Sequence, residues 1–209
     1  MKSNNIRKIG WGVKIGMTQV YSSTGKVLPV SALDLSGWLV LSVSKKDNRS
    51  IVKIGKLKTR FLAKDFLADW IKALKKYFTF VREVVCSVDY SSKPGDVFVP
   101  EVSEEGIVKV SGCSTGCGFA GVMRRHGYSG APASHGATFG RSTGSIGSLT
   151  ACGKVVKGKG MPGRMGGSGV TVSGLKIVKV NSKDKVILVK GSVPGRKGSL
   201  VCIKNEGDA

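Results

Sequence analysis

From Ser111 to Gly169 the chain carries 17 of its 30 glycines and shows no sustained apolar period of either two or 3.6 residues. Such a stretch has no apolar stripe or face of its own to bury, and fixing it costs roughly 1 to 2 kcal/mol of backbone entropy per residue. It reads as one long extension that takes its shape from a partner. Structureless connections beyond about 12 to 15 residues are uncommon inside compact domains and are usually functional or disordered. Whatever folds conventionally must be built from the residues on either side.

The charge of the same region indicates what kind of partner to expect. Between Glu105 and Asp184 seventy-eight residues pass without an Asp or Glu, while eleven Lys and Arg fall among them. A solvated surface mixes both signs, so a one-signed stretch of this length points to a polyanion, and nucleic acid is the obvious one. Outside the window 23 Lys and Arg face 13 acids, so the folded body also carries basic patches. A net charge of +21 is far more than the roughly 2 to 8 that solubility asks of a small domain.

With 209 residues, 41% of them hydrophobic, the chain has room for one ordinary domain plus something extra, or for two small ones. Val13 to Val20 and Val27 to Leu35 fit two strands joined by a turn at Ser22 to Gly25. Further β-rich runs at Trp38 to Val43 and Ile51 to Ile54 suggest an antiparallel meander. Leu62, Phe66, Leu67, Trp70, Ile71, Leu74 and Tyr77 then recur at helical spacing and predict one amphipathic helix. Strand patterning returns at Phe80 to Val88, Val97 to Val102 and Ile107 to Val110. Past the glycine-rich segment it resumes at Val170 to Val180, Val186 to Val189 and Leu200 to Ile203, with turns at Asn181 to Lys185 and Pro194 to Gly198. Strands on both sides must share one core, which predicts a mainly β (α+β) chain. Its body is a small antiparallel β-barrel or sandwich formed by residues 1–110 and 170–209, with a helical insert at about 56–90 and an arm at 111–169.

Met1 to Lys14 contains no apolar leader core, and no run approaches the roughly 18 apolar residues of a membrane span, so no membrane partner and a reducing cytosol are expected. Five scattered cysteines, Cys86, Cys113, Cys117, Cys152 and Cys202, argue against a disulfide framework. Gly116 to Gly121 spells a dinucleotide fingerprint but lacks the acid about 20 residues on, and Met123 to Ser129 continues poorly as a helix. Gly147 to Lys154 resembles a phosphate loop with misplaced glycines and Val155 where a hydroxyl belongs. Cys113, Cys117, His126 and His135 could gather around zinc, yet their spacing matches no familiar finger, and no carboxylate stands near them to orient a Cys-His nucleophile. The expectation is therefore no catalytic residue, metal, cofactor or small-molecule substrate.

Arg124, Arg125, His126, Arg141, Lys154, Lys157, Lys159 and Arg164 are spaced along the segment and interleaved with Phe119, Tyr128 and Phe139. Cations that neutralise phosphates release counterions, and aromatic rings stack on unpaired bases. The plainer alternative is a flexible basic loop that touches nucleic acid without shape specificity.

Several ordered motifs carry a family resemblance. They are Gly16-Met17-Thr18-Gln19-Val20-Tyr21, Gly118-Phe119-Ala120-Gly121-Val122-Met123-Arg124-Arg125-His126-Gly127, Ala133-Ser134-His135-Gly136 and Gly144-Ser145-Ile146-Gly147. Gly153-Lys154-Val155, Lys157-Gly158-Lys159, Met161-Pro162-Gly163-Arg164-Met165-Gly166 and Leu188-Val189-Lys190-Gly191-Ser192-Val193-Pro194-Gly195 follow in order. Across essentially its whole length the chain resembles the bacterial form of the large-subunit ribosomal protein L-three family.

The resemblance implies a β-barrel body at the subunit surface, a helical insert, and an arm that reaches through large-subunit rRNA towards the peptidyl transferase centre. It also implies a role early in subunit assembly, neighbouring large-subunit ribosomal proteins as further partners, and a cytoplasmic ribosome, with an organellar one left open. Carried over by position, Gly144 to Gly153 becomes the arm's tip, with Arg124 to His126 and Lys154 to Lys159 as RNA-clamping flanks. His135 and Ser145 join the rRNA-binding candidates through their motifs. Thr115 and Cys117 stand where basic residues are usual, Gly140-Arg141 where a His-Arg pair is usual, and Cys152 where proline is typical. A modified Gln near the tip is not available here, because Gln19 is the chain's only glutamine. Two other classes stay open on residues alone, a free-standing nucleic-acid chaperone and a zinc or nucleotide enzyme.

Overall fold

The computed structural model describes residues 9–46, 49–62, 66–86, 92–98, 106–147 and 153–206. The chain divides into two compact units, one formed by Met1–Cys113 with Gly169–Ala209 and the other by Ser114–Ser168. Strand dominates the described residues, and every ladder among them is antiparallel.

In the first unit, β1 (Ile9–Tyr21) and β2 (Val27–Asp34) form the hairpin expected around Ser22 to Gly25. The Ser22 N–H donates to the Lys26 carbonyl at 2.9 Å and closes the turn. Next come β3 (Trp38–Lys46), β4 (Arg49–Leu57) and β5 (Phe78–Cys86), then β6 (Ile107–Cys113). Six strands close into a ring in the order β1, β11 (Leu200–Asn205), β6, β9 (Gly169–Asn181), β10 (Val186–Lys190), β2. Register shifts at Lys14/Gly16, Val108/Val110 and Leu188/Val189 supply the local bends that closure needs. Leu33, Leu35, Val108 and Val110 from before the glycine-rich segment fill the interior together with Ile177, Ile187, Val189, Val201 and Ile203 from after it. Both halves of the body thus share one core.

The ring is not the whole of this unit. The expected meander breaks after Asp34, because β3 pairs with β4 and β4 with β5 in a separate three-stranded sheet. Alternation within Trp38-Leu39-Val40-Leu41 explains why the run is apolar throughout. Trp38 and Val40 pack with Val52, Ile54, Val84 and Phe98, whereas Leu39 and Leu41 pack with Leu57, Trp70 and Phe78 on the other face. Trp11 and Leu200 join the first of these clusters. Asp34 on β2 accepts a hydrogen bond from Lys56 on β4 at 2.6 Å. Burial opposes ionisation of Asp34, but the Lys56 ammonium and the Ser36 N–H outweigh it and hold the carboxyl below its ordinary 3.8. Burial pushes the Cys202 thiol up, against the pull of Lys204, so this cysteine serves the core.

The single amphipathic helix expected over Leu62 to Tyr77 is corrected to two four-residue helices, α1 (Asp69–Lys72) and α2 (Leu74–Tyr77), with residues 63–65 outside the described set. Ala73 interrupts them at φ −122° and ψ 55°. Trp70 and Tyr77 stack with centroids 5.1 Å apart and planes 10° from parallel. A continuous helix would set residues seven apart about 10 Å from each other along its axis, so closing that aromatic pair favours a break. Within the helical insert expected at about 56–90 the described residues hold a 3-10 turn at Thr59–Phe61 and these two helices, and β5 follows at once. Residues 87–88 and 99–102 of the runs read as strand lie outside the described residues. Val97 makes an isolated bridge to Leu39.

Candidate nucleic-acid interface

The second unit, read from sequence as one long extension, holds three short elements among its described residues. These are β7 (Gly118–Ala120), α3 (Val122–His126) and β8 (Gly163–Met165). β7 pairs antiparallel with β8, with Gly118 opposite Met165, Phe119 opposite Arg164 and Ala120 opposite Gly163. The connection extends through Cys117 N–H to the Met165 carbonyl and Ser114 N–H to the Ser168 carbonyl, at 2.8 and 2.9 Å. Gly166 has φ 71°, and a Cβ there would run into the Thr115 carbonyl oxygen, so this crossing tolerates no side chain.

Met123 to Ser129 was expected to continue poorly as a helix, and α3 corrects that for one turn. Gly121 enters it extended, Val122 anchors it at 2% exposure, and Gly127 ends it at φ 73° with its N–H bonded to the Met123 carbonyl. The glycine fingerprint still has the wrong context, since a strand lies inside Gly116 to Gly121, the helix after it is a single turn, and β6 and β7 both pair antiparallel. Among the described residues no three His, Cys, Asp or Glu side chains gather as metal ligands. Most of Gly147 to Lys154, including Cys152, lies outside the described residues.

Three of the candidate side chains meet at two backbone carbonyls. Arg125 donates Nη1–H to the Met161 carbonyl at 2.8 Å, and His126 Nε2–H donates to the same oxygen at 3.0 Å. The Tyr128 hydroxyl donates to the Gly160 carbonyl at 3.4 Å, and its ring lies 5.9 Å from that of His126. Sequence gave no sign of Met161 and Gly160 in this role, because backbone acceptors leave no side-chain signature. Phe119 and Arg164 also meet, as opposed residues on β7 and β8.

The remaining candidates stand apart. Among the described residues Arg124, His135, Arg141, Lys154, Lys157, Lys159 and Arg164 make no side-chain hydrogen bond or ion pair, and Ser145 Oγ reaches only the Gly147 carbonyl at 3.2 Å. His135 sits at φ 62° in a chain section pinned by Ala131 N–H to the Gly140 carbonyl at 2.9 Å. All twelve candidates are exposed except Tyr128, which is half-buried. Phe119 and Phe139 are 79% and 73% exposed, so large apolar rings stand in solvent.

Seven Lys and Arg without a carboxylate in the unit leave a field of one sign. The described ion pairs, Asp34 with Lys56 and Asp69 with Lys72, belong to the first unit. Chemically, the described residues of the second unit can neutralise a polyanion and offer aromatic faces to it.

Comparison with known proteins agrees with that character. A family model described as Ribosomal protein L3 matches residues 95–186. Large ribosomal subunit protein uL3 of Herpetosiphon aurantiacus is 40% identical over 204 residues, covering 95% of this chain and 96% of the relative. Its counterpart from Desulfitobacterium hafniense is 38% identical over 198 residues, covering 92% and 93%. Large ribosomal subunit protein uL3c of Gracilaria tenuistipitata var. liui is 39% identical over 204 residues, covering 94% and 98%. A β-rich chain with a carboxylate-free cationic unit therefore belongs to the ribosomal protein L3 family, which is structural and not enzymatic.

Proposed function

We propose that this chain is a structural constituent of the large ribosomal subunit that binds large-subunit rRNA, supports early subunit assembly and buttresses the region near the peptidyl transferase centre. Residues 1–110 and 170–209 act as the body and residues 111–169 as the RNA-binding arm, with neighbouring large-subunit ribosomal proteins as further contacts. The observation that carries this reading is the absence of any acid between Glu105 and Asp184 together with cations that have no partner among the described residues. RNA phosphates supply the missing countercharge, and binding is dominated by backbone and shape instead of base sequence. Phe119, Arg124, Tyr128, Arg141, Ser145, Lys154, Lys157, Lys159, Arg164 and His135 make the contacts. Arg125 and His126 add to them while bracing the Met161 carbonyl, since a guanidinium has five N–H donors and only one is used there.

The experiment is cosedimentation combined with crosslinking. The chain should remain with large subunits after a high-salt wash, and photo-crosslinkers at Arg124, Tyr128 and Lys157 should capture large-subunit RNA. Recovery mainly as free protein would favour a free-standing chaperone, and crosslinks only to protein would sink the RNA assignment.

A further inference from the structure

We infer that Phe119 and Arg164 together form a stacking platform for one unpaired RNA base. The inference deepens the RNA-binding reading above and rests on it.

The β7–β8 pair sets Phe119 directly opposite Arg164. Opposed residues of an antiparallel ladder project to the same face with Cβ atoms about 4.5 to 5.5 Å apart. Ala120, one step along, projects to the other face and is 5% exposed, so the ribbon has one covered side and one open side. On the open side Phe119 is 79% exposed and Arg164 is exposed as well.

The Arg164 guanidinium lies over Gly167, where an added Cβ would come within 3.5 Å of it, and the other described neighbours are small. The positions two steps away on that face are Cys117 and Gly121 on one strand and Pro162 and Gly166 on the other, all short. A Cβ added at Gly121 would meet nothing within 4 Å. Arg164 makes no hydrogen bond or ion pair among the described residues, and the unit has no carboxylate to offer it.

An exposed apolar ring across the ladder from an arginine without an anionic partner calls for a partner that is planar, π-rich and attached to negative charge. A nucleobase satisfies all three: it lies on the phenyl ring and continues over the planar guanidinium, while its own phosphate faces the positive field. A base inside a duplex has both faces occupied by its neighbours, so the platform selects an unpaired one.

The test uses the full chain and three variants, F119L, F119W and R164K, with two probes in separate titrations at one salt concentration. One probe is a single-stranded oligoadenylate of about eight nucleotides, and the other is an RNA duplex without loops. Because both side chains are exposed, the variants should fold as the parent does, which circular dichroism checks. F119L should bind the single strand roughly tenfold more weakly, since the ring is lost and the apolar bulk is kept. F119W should restore the affinity, and R164K should weaken it because charge remains while the plane is lost. Duplex affinity should fall by much less than single-strand affinity in each weakened variant. The platform is overturned if F119L binds the single strand as tightly as the parent, or if single strand and duplex weaken equally. If the parent chain binds neither RNA, the underlying RNA-binding reading fails first.

Discussion

Asp34 and Lys56 tie β2 of the closed ring to β4 of the separate sheet through a 2.6 Å contact, with side chains only 24% and 15% exposed. Replacing Lys56 by Met leaves the half-buried carboxylate short of its main partner, and hydrogen bonds to charged groups contribute roughly 1.5 to 3 kcal/mol. Denaturant unfolding at neutral pH should register a loss of about that size. Because the folded carboxyl lies below 3.8, the unfolded chain binds the proton more readily. The contribution is therefore complete above the unfolded value and disappears as pH falls through the folded one. The difference in stability between parent and K56M should narrow in acid and stay constant from pH 5 to 7. Individual cations such as Arg124 and Lys157 were legible in sequence because their charge needs no fold to be counted. The bracing of Arg125 and His126 on the Met161 carbonyl was not, since it depends on a chain reversal that brings together residues 36 and 35 apart.

At the level of elements, strands were legible where alternation or a bounded apolar run marked them, as at Val27 to Leu35 and Leu200 to Ile203. The 62–77 segment was not, because its apolar spacing fits a helix equally well while its aromatic residues prefer one another. Phe61, Phe66, Trp70 and Tyr77 cluster with ring centroids between 5.1 and 5.9 Å, and that packing outweighs the continuity of the helix. Trp70 is 3% exposed at the centre of the cluster and also packs on the Leu39, Leu41 and Leu57 face of the second sheet. Trp70→Ala should cost about 3 to 5 kcal/mol in denaturant unfolding, through lost burial and the cavity left behind. A loss below 1 kcal/mol would mean the aromatic cluster does not hold this region. Likewise α3 escaped the sequence reading, since one helical turn set between Gly121 and Gly127 is too short to show a period.

Over the whole molecule, charge and glycine distribution say more about function than any local motif does. Dinucleotide, phosphate-loop and zinc readings each rest on a few residues, whereas the carboxylate-free window extends over seventy-eight residues. Family membership is carried by identity along nearly the full chain. The central claim, that the Ser114–Ser168 unit binds large-subunit RNA through its partnerless cations, has a direct thermodynamic signature. The measurement is the affinity of the full chain for large-subunit RNA across a series of salt concentrations, compared with a variant carrying R124Q, R141Q, K157Q and K159Q together. Each phosphate contact contributes about −0.7 to −0.9 to the slope of log affinity against log salt, so the parent should show a steep loss and the variant a slope shallower by about 3. Equal slopes for the two proteins would contradict the claim.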